Sequence, residues 1–455
     1  MNKDQQQRLA LTAAIGVPLL VIYSLATGSM APRCAVGERC IIGYDSEVGI
    51  PAGLTVVEHI PALNAVVVEE TAQVRVFSRA EGVRYTETDG EMRLIEPVAY
   101  TLLASVDPLV AQWHLAAIDA VGAWTRTKGK GQTVAVVDTG TDCAHPDLAG
   151  ICKAGKNFTS STPCGPGSNC DGHGHGTHVA GIVAAVGRVL GVSPEAKVIP
   201  VKVLTDQGGG LWSDVAMGIV WAADQAPVAI NMSLGSPGAS QVVQDAVNYA
   251  LGKGITVVVA RGNNGSAAPD YPACYPGVIN VTATGVGGAR AAWSSFGNCG
   301  ERLQIAAPGE SIASTVPGGG LEAWSGTSMA APVVSGVVAL VRSVGVPASF
   351  VPDVLAKTAG TLSNAKGEVG IVHAGRAVSA PSPTAGPSPT RMQTPALSTQ
   401  TRTPVGYPAP ATATPPIVPP TRTPPPGCLL VRRTMLVFDG APVLMPVWVY
   451  DCKED

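Results

Sequence analysis

Between residues 133 and 260 the chain repeats one pattern: a short, almost unbroken apolar run, a turn, and a helix-like stretch. Thr133-Val134-Ala135-Val136-Val137 is continuous and rich in β-branched residues, as expected of a parallel strand buried on both faces. Lys197 to Leu204, Val228 to Ser233 and Ile255 to Ala260 read the same way. Ser213 to Ala223 and Val242 to Leu251 read as helices between them. Such alternation implies an α/β fold with a doubly wound, mostly parallel sheet flanked by helices. Open sheets of this kind place ligands beyond the carboxyl ends of their strands. The residues to inspect are therefore Asp138-Thr139-Gly140, Ser233-Leu234-Gly235 and Gly262-Asn263, each of which ends a strand.

The rest of the chain divides by composition. Lys3 and Arg8 precede an apolar run from Leu9 to Ala26, and Ser24-Leu25-Ala26 offers a small-x-small cleavage site. Residues 1–30 thus read either as an export signal or as a retained anchor. Both place the remainder outside the cytoplasm, and attachment to a membrane or cell envelope stays open. Residues 31–104 hold three short strand signals, Ile41 to Tyr44, Leu54 to Val57 and Ala65 to Val68. From Ser379 to Gly427 Pro, Thr, Ser and Ala dominate. No core can form from that composition, so the domain reading is a stalk over 381–427. Residues 428–455 read as a hairpin, Leu429 to Phe438 and Ala441 to Tyr450 around Asp439-Gly440, with Cys428 and Cys452 at its ends.

A net charge of −3 over 455 residues gives nucleic-acid binding no electrostatic support. The ten cysteines fall in close couples: Cys34 and Cys40, Cys143 and Cys152, Cys164 and Cys170, Cys274 and Cys299, Cys428 and Cys452. An even count so arranged suggests disulfides and an oxidising compartment; consecutive pairing is a guess, since sequence does not fix connectivity. Three histidines, His173, His175 and His178, stand close together. They lack a carboxylate or thiol at ligand spacing on one helical face, so one of them acting as a general base is the alternative to zinc.

Gly326-Thr327-Ser328-Met329-Ala330-Ala331-Pro332 opens an apolar helix with a serine in its first turn, where backbone N–H groups are free and negative charge is stabilised. Alone, such a serine is a cap. Together with Asp138 and His175 it completes an Asp–His–Ser series. A hydroxyl becomes a nucleophile when an imidazole takes its proton, and a carboxylate fixes the tautomer of that imidazole. The Asn263 amide and the Ser328 N–H would then serve the oxyanion.

The stretches Val136 to Gly140, His175 to Gly181 and Gly326 to Ala330 resemble the three motifs of the subtilisin-like (subtilase) serine proteases, and Gly262-Asn263 resembles their oxyanion stretch. The resemblance runs from about Asp107 to Ala380. It implies a subtilase catalytic domain over 105–380, preceded by a small α+β propeptide over 31–104 that folds, inhibits and is removed. It further implies a serine endopeptidase acting as a monomer on protein or peptide substrates, secreted or held at the cell surface. No cofactor serves the chemistry in this family; structural calcium is a family habit, with its site unknown here. Gly208-Gly209-Gly210 would pair with substrate as a strand. Ser233-Leu234-Gly235 would line the pocket for the residue before the scissile bond, and Trp212 the rim of a more distal one. Asp270 falls near the base of the first pocket, which suggests Lys or Arg there. The rivals are a processing protease of narrow basic specificity and a non-catalytic surface or adhesion protein on the same fold.

Three departures from the family pattern stand out. The first propeptide helix is missing between the strands, the loop Val186-Gly187-Arg188-Val189 is shorter than the family's calcium loop, and Arg261 replaces a small residue before Gly262-Asn263. A buried guanidinium there requires a carboxylate or backbone acceptors.

Overall fold

The computed structural model describes residues 34, 39–47, 49–50, 54–69, 82–102, 112–160, 162–381, 428–438 and 442–452. The expected signal or anchor and the Pro-rich stretch beyond Pro381 lie outside them. Among the described residues no helix is long and apolar enough to cross a membrane.

Strands β1 (Arg39–Tyr44), β2 (Val56–Ile60), β3 (Ala65–Glu69) and β4 (Val83–Thr88) form an antiparallel sheet in the order β2-β3-β1-β4. The second strand begins two residues later than its apolar signal at Leu54, and no helix intervenes among the described residues before it. The pleat sends alternate residues to opposite faces. Ile41 and Val67 join the apolar cluster of the larger body, whereas Ile42, Val66 and Val68 close a small cluster around the Cys34–Cys40 disulfide. Two further segments from this region, β5 (Glu91–Leu94) and β6 (Ala99–Leu102), belong to other sheets.

The main body follows with α1 (Trp113–Ala117), α2 (Ala120–Trp124), β7 (Thr133–Asp138), β8 (Lys156–Asn157), α3 (His175–Ala184), β9 (Lys197–Lys202), β10 (Gly209–Leu211) and α4 (Trp212–Asp224). Next come β11 (Ala229–Met232), β12 (Leu234–Gly235), α5 (Gln241–Gly252), β13 (Thr256–Ala260), β14 (Ile279–Thr284), β15 (Leu303–Pro308), β16 (Ile312–Val316) and β17 (Gly320–Ser325). Helices α6 (Thr327–Ser343), α7 (Val351–Thr358) and α8 (Ala374–Ser379) complete it. Seven parallel strands run in the order β15-β14-β13-β11-β7-β9-β8. The expected doubly wound sheet is thus present, and the strand signal at Lys197 to Leu204 ends early, at Lys202.

Both faces of the sheet are covered, which explains the unbroken apolar runs. Val134 and Val136 of β7 face the cluster that contains α3 and α6; Ala135 and Val137 face the cluster that contains α4 and α5. Every residue of α3 is buried, so its many small side chains let it lie close against the sheet.

The N-terminal sheet docks on α4 and α5 through charge as well as apolar surface. The Glu87 carboxylate accepts from the N–H groups of Gln241 and Val242, both 2.9 Å, and from the Ser240 hydroxyl at the start of α5. Asp89 accepts from the N–H (3.0 Å) and hydroxyl (2.7 Å) of Ser213 at the start of α4, and Arg39 pairs with it at 3.2 Å. Free N–H groups and the positive end of the dipole make a helix start a natural seat for a carboxylate.

The second unit, Gly386–Asp455, contains the antiparallel strands β18 (Cys428–Phe438) and β19 (Pro442–Cys452). Cys428 stands opposite Cys452 in their register.

Glu87→Ala removes three hydrogen bonds to a charged acceptor. It should lower stability by about 1–3 kcal/mol, read as an earlier urea midpoint with an unchanged slope. A second expectation concerns Asp214, whose carboxyl is pushed up to about 7 by burial and by the charges of Glu58 and Asp89. Docking that raises a carboxyl pKa is fully favourable below the free value near 4 and weakens as pH rises through about 7. Limited proteolysis of the N-terminal sheet should therefore quicken between pH 5 and pH 8, and Asp214→Asn should flatten that dependence.

Candidate active site

Three strand ends converge because β7, β11 and β13 are neighbours: Met232 is in register with Val137 on one side and Val259 on the other. Asp138, Ser233 and Gly262-Asn263 therefore share one edge of the sheet.

His175 is brought to that edge by the start of α3. Its N-cap, Gly174, has φ 104°, a conformation open to glycine and costly for other residues. Asp171 organises the turn: one carboxylate oxygen accepts from the N–H groups of His173 and Gly174 and from the Thr139 hydroxyl, the other from the N–H and hydroxyl of Thr177. The Nδ1 of His175 lies 2.8 Å from Oδ1 of Asp138, both side chains being fully buried. Oδ1 of Asp138 also accepts from the Thr139 N–H at 2.7 Å. The outer nitrogen of His175, Nε2, is buried with no hydrogen-bond partner. Trp324 packs beside His175 with ring centroids 6.2 Å apart, and its strand leads into Ser328.

Ser328 is the second residue of α6. Pro332, four residues on, has no N–H to donate to the Ser328 carbonyl. That carbonyl accepts instead from the Ser233 hydroxyl at 3.0 Å, and Asn231 in turn donates to Ser233. The residue before it, Thr327, sets the orientation of Asn263: Oδ1 of Asn263 accepts from the Thr327 N–H (2.9 Å) and hydroxyl (2.8 Å). The amide nitrogen is thereby turned outward, into the cleft.

The chain's own segment 91–102 runs through that cleft. Strand β5 lies between β10 and β12 and is antiparallel to both, with Met92 opposite Gly210 and Arg93 opposite Gly209 and Gly235. The Leu94 N–H donates to Gly208 and the Ile95 N–H to Ser233. The Ser328 hydroxyl donates to the Ile95 carbonyl at 2.8 Å and lies 3.4 Å from the Ser233 carbonyl; the Asn263 amide donates to the Glu96 carbonyl at 2.7 Å. Beyond Pro97 the chain continues along β17 through β6. Met92, Leu94 and Ile95 are buried while Glu91 and Arg93 project into solvent. Trp212 covers Gly90, and its indole N–H donates to the Glu91 carbonyl.

Asp270 lies against Gly235 and Gly262. A Cβ on Gly235 would meet its Oδ1 at 2.8 Å, and one on Gly262 would meet its Oδ2 at 3.1 Å. Burial pushes this carboxyl up to about 6, against the opposing pull of the Arg261 charge. Arg261 is wholly buried and finds backbone acceptors, the carbonyls of Ala268 (3.1 Å), Ala267 (3.5 Å) and Phe296 (2.9 Å).

The three histidines separate. His178 stacks on Trp324 at 4.5 Å and is held well below the usual range, at about 3, by burial, while His175 turns to Asp138. Among the described residues no group of three or more His, Cys, Asp or Glu side chains could hold a metal. The short loop at Val186–Leu190 does not suit calcium: Asp147 faces Arg188 at 3.4 Å and accepts from the Val189 N–H at 3.2 Å, so a guanidinium stands where a cation would. Disulfides join Cys34 to Cys40, Cys143 to Cys152, Cys164 to Cys170 and Cys274 to Cys299. Asp171, Thr327 and the paired carboxylates Glu87 and Asp89 escaped the sequence reading. Only Asp171 carried a signal, an acidic residue just ahead of a helix start.

The family model described as Subtilase family matches residues 129–372. Thermitase of Thermoactinomyces vulgaris is 42% identical over 263 residues, 55% of this chain and 91% of that protein. M-protease of Shouchella clausii is 35% identical over 358 residues, 75% of this chain and 90% of that protein. Fervidolysin from Fervidobacterium pennivorans, a keratinolytic enzyme related to subtilisin, is similar in structure with a TM-score of 0.66 and 29% identity. That match covers 76% of this chain and 61% of fervidolysin. With four motifs in order on a shared fold, the chain belongs to the subtilase family and is a serine endopeptidase.

Proposed function

We propose that the chain is an exported endopeptidase that hydrolyses peptide bonds through an acyl-enzyme on Ser328 and is matured by removal of its N-terminal unit. One observation carries this reading: a peptide strand lies between Gly208–Leu211 and Ser233–Gly235 with the Ile95 carbonyl against the Ser328 hydroxyl. Backbone pairing on both sides is how an extended substrate would be held, whatever its sequence.

In the reaction Ser328 Oγ attacks the carbonyl carbon as His175 Nε2 takes its proton. Asp138, bonded to Nδ1, keeps the imidazole in the tautomer that leaves Nε2 free to accept, and stabilises the imidazolium. The oxyanion is met by the Asn263 amide, already aimed into the cleft, and by the Ser328 N–H of the first turn of α6. The imidazolium then gives its proton to the leaving amine, and water repeats the sequence on the acyl-enzyme. Protein and peptide substrates bind where segment 91–96 lies, so the unit that carries this segment is an inhibitor until it is cut. The bond presented to Ser328 is Ile95–Glu96. Asp270, beside the pocket for the residue before that bond, selects Lys or Arg in substrates. The aliphatic Ile95 cannot pair with it, which suits an occupant that is cut slowly. The apolar N-terminal run, the disulfides and the Pro-rich stretch support export to the cell exterior or surface.

Asn263→Ala should lower kcat by about 10²–10³-fold with KM little changed, because the amide serves a charge that exists only in the transition state. Full-length wild type and Ser328→Ala should differ in intact mass after incubation. The wild type should release a fragment ending at Ile95 and label with a fluorophosphonate, and the variant should do neither. Labelling of a wild type that stays whole would sink self-maturation while leaving the protease intact.

A further inference from the structure

Arg261 directly precedes Gly262-Asn263 and Asp270 lies against Gly262, and the reaction described above uses neither. Arg261 is fully buried yet makes no direct ion pair; its partners are three carbonyls, and its Nε has no partner. Two of those carbonyls, from Ala267 and Ala268, belong to the loop that delivers Asp270. The third, from Phe296, is one residue from Ser295, whose Oγ lies 3.2 Å from where a Cβ on Gly262 would stand. Asp270 is fixed at its other end by the bridge between Ser236 and Tyr271, which exchange N–H to carbonyl bonds of 2.9 and 2.8 Å. Its Oδ1 is buried without a hydrogen-bond partner. A carboxylate with an unpartnered oxygen thus lies between Gly235, in the strand that pairs with the segment leading to Ile95, and Gly262, next to Asn263.

We propose that Arg261 is a positioning residue for the primary specificity pocket: its buried guanidinium clasps the loop bearing Asp270 and sets the charge that Asp270 presents to the substrate side chain. The inference rests on the reading of Asp270 as the selector of that pocket.

The charged groups acting here are few. Arg261 draws the carboxyl towards ionisation, as do the backbone amides of Tyr271 and Ser236, against burial; Glu301 acts on Arg261 from further away. An opposite charge lowers a carboxyl pKa by about 1–3 units. With Arg261 in place Asp270 becomes anionic above about pH 6, and the pocket then attracts a cation. Without it the acid stays neutral to higher pH and the pocket treats basic and apolar side chains alike. The guanidinium itself is fully buried, with both terminal nitrogens turned to carbonyls of its own loops.

The test uses full-length protein that has developed peptidase activity, with matched peptides carrying Lys or Leu before the scissile bond. The ratio of their kcat/KM values is followed from pH 5 to pH 9. In wild type the Lys/Leu ratio should rise about tenfold or more with a midpoint near pH 6. Arg261→Gln should move that midpoint up by about one pH unit. Arg261→Met serves as the second neutral variant, and Arg261→Lys, which keeps the charge, should leave the midpoint in place. Asp270→Asn should abolish the step. A step that survives in Asp270→Asn overturns the selector reading itself. A step lost in Asp270→Asn but unmoved in both neutral Arg261 variants overturns the role of Arg261 alone. A midpoint that rises as far in the lysine variant as in the neutral ones reduces Arg261 to a packing element.

Discussion

The bond between Asp138 and His175 is the interaction on which the architecture turns. A carboxylate and an imidazole, both cut off from water, are tolerable only with hydrogen bonds in place before the reaction begins. The Thr139 N–H supplies one from just past the end of β7, and His175 supplies the other from the start of α3. Displacing α3 from the strand end would break the bond to His175 and leave the buried Asp138 carboxylate with the Thr139 N–H as its remaining partner. Asp171 secures the distance, because it ties Thr139 beside the strand end to the first turn of the helix. The close approach of α3 to Gly140 further depends on Gly176, where a Cβ would strike the Gly140 carbonyl.

Much of this was legible because burial on both faces writes itself as continuous apolar runs. Thr133 to Val137 and Ile255 to Ala260 read as strands and are strands, and Asp138 and Gly262-Asn263 at their ends share one edge of the sheet. What stayed hidden depends on contacts remote in sequence. Glu87 sits in an ordinary alternating strand, and nothing local says that its carboxylate will cap a helix beginning at Gln241. Thr327 reads as a helix-start residue, yet its side chain orients Asn263, which lies 64 positions earlier. Arg261 was visible as an oddity. Its solution, carbonyls from two loops, required the loops to be placed.

The N-terminal region packs in two different ways. Strands β1 to β4 form a sheet that docks from outside, but β5 and β6 are built into the body as strands of two other sheets. The sheet that docks from outside thus ends before the cleft, and the segment that follows it fills the cleft. Gly208 to Gly210 allow this: Gly208 has φ 78°, and a Cβ on Gly210 would collide with the Val203 carbonyl, so β10 presents bare backbone to its partner. An edge strand left unpaired would invite any extended chain; here the chain's own segment covers it.

Two consecutive carbonyls of that segment, those of Ile95 and Glu96, are gripped by two groups that the proposed reaction uses. The Ser328 hydroxyl gives its single proton to the first, and the Asn263 amide donates to the second. A hydroxyl that donates to the carbonyl it must attack is not donating to His175, so its lone pairs are not activated. The resting geometry is therefore a binding geometry. To become reactive, the Ser328 hydroxyl must turn its proton to Nε2 of His175, and the peptide must shift so that the Ile95 oxygen reaches the amide now held by Glu96. Both movements are small, but each breaks one hydrogen bond before its replacement forms. That is how, in the proposed reading, a segment lying in the cleft as a substrate would can persist there as an inhibitor.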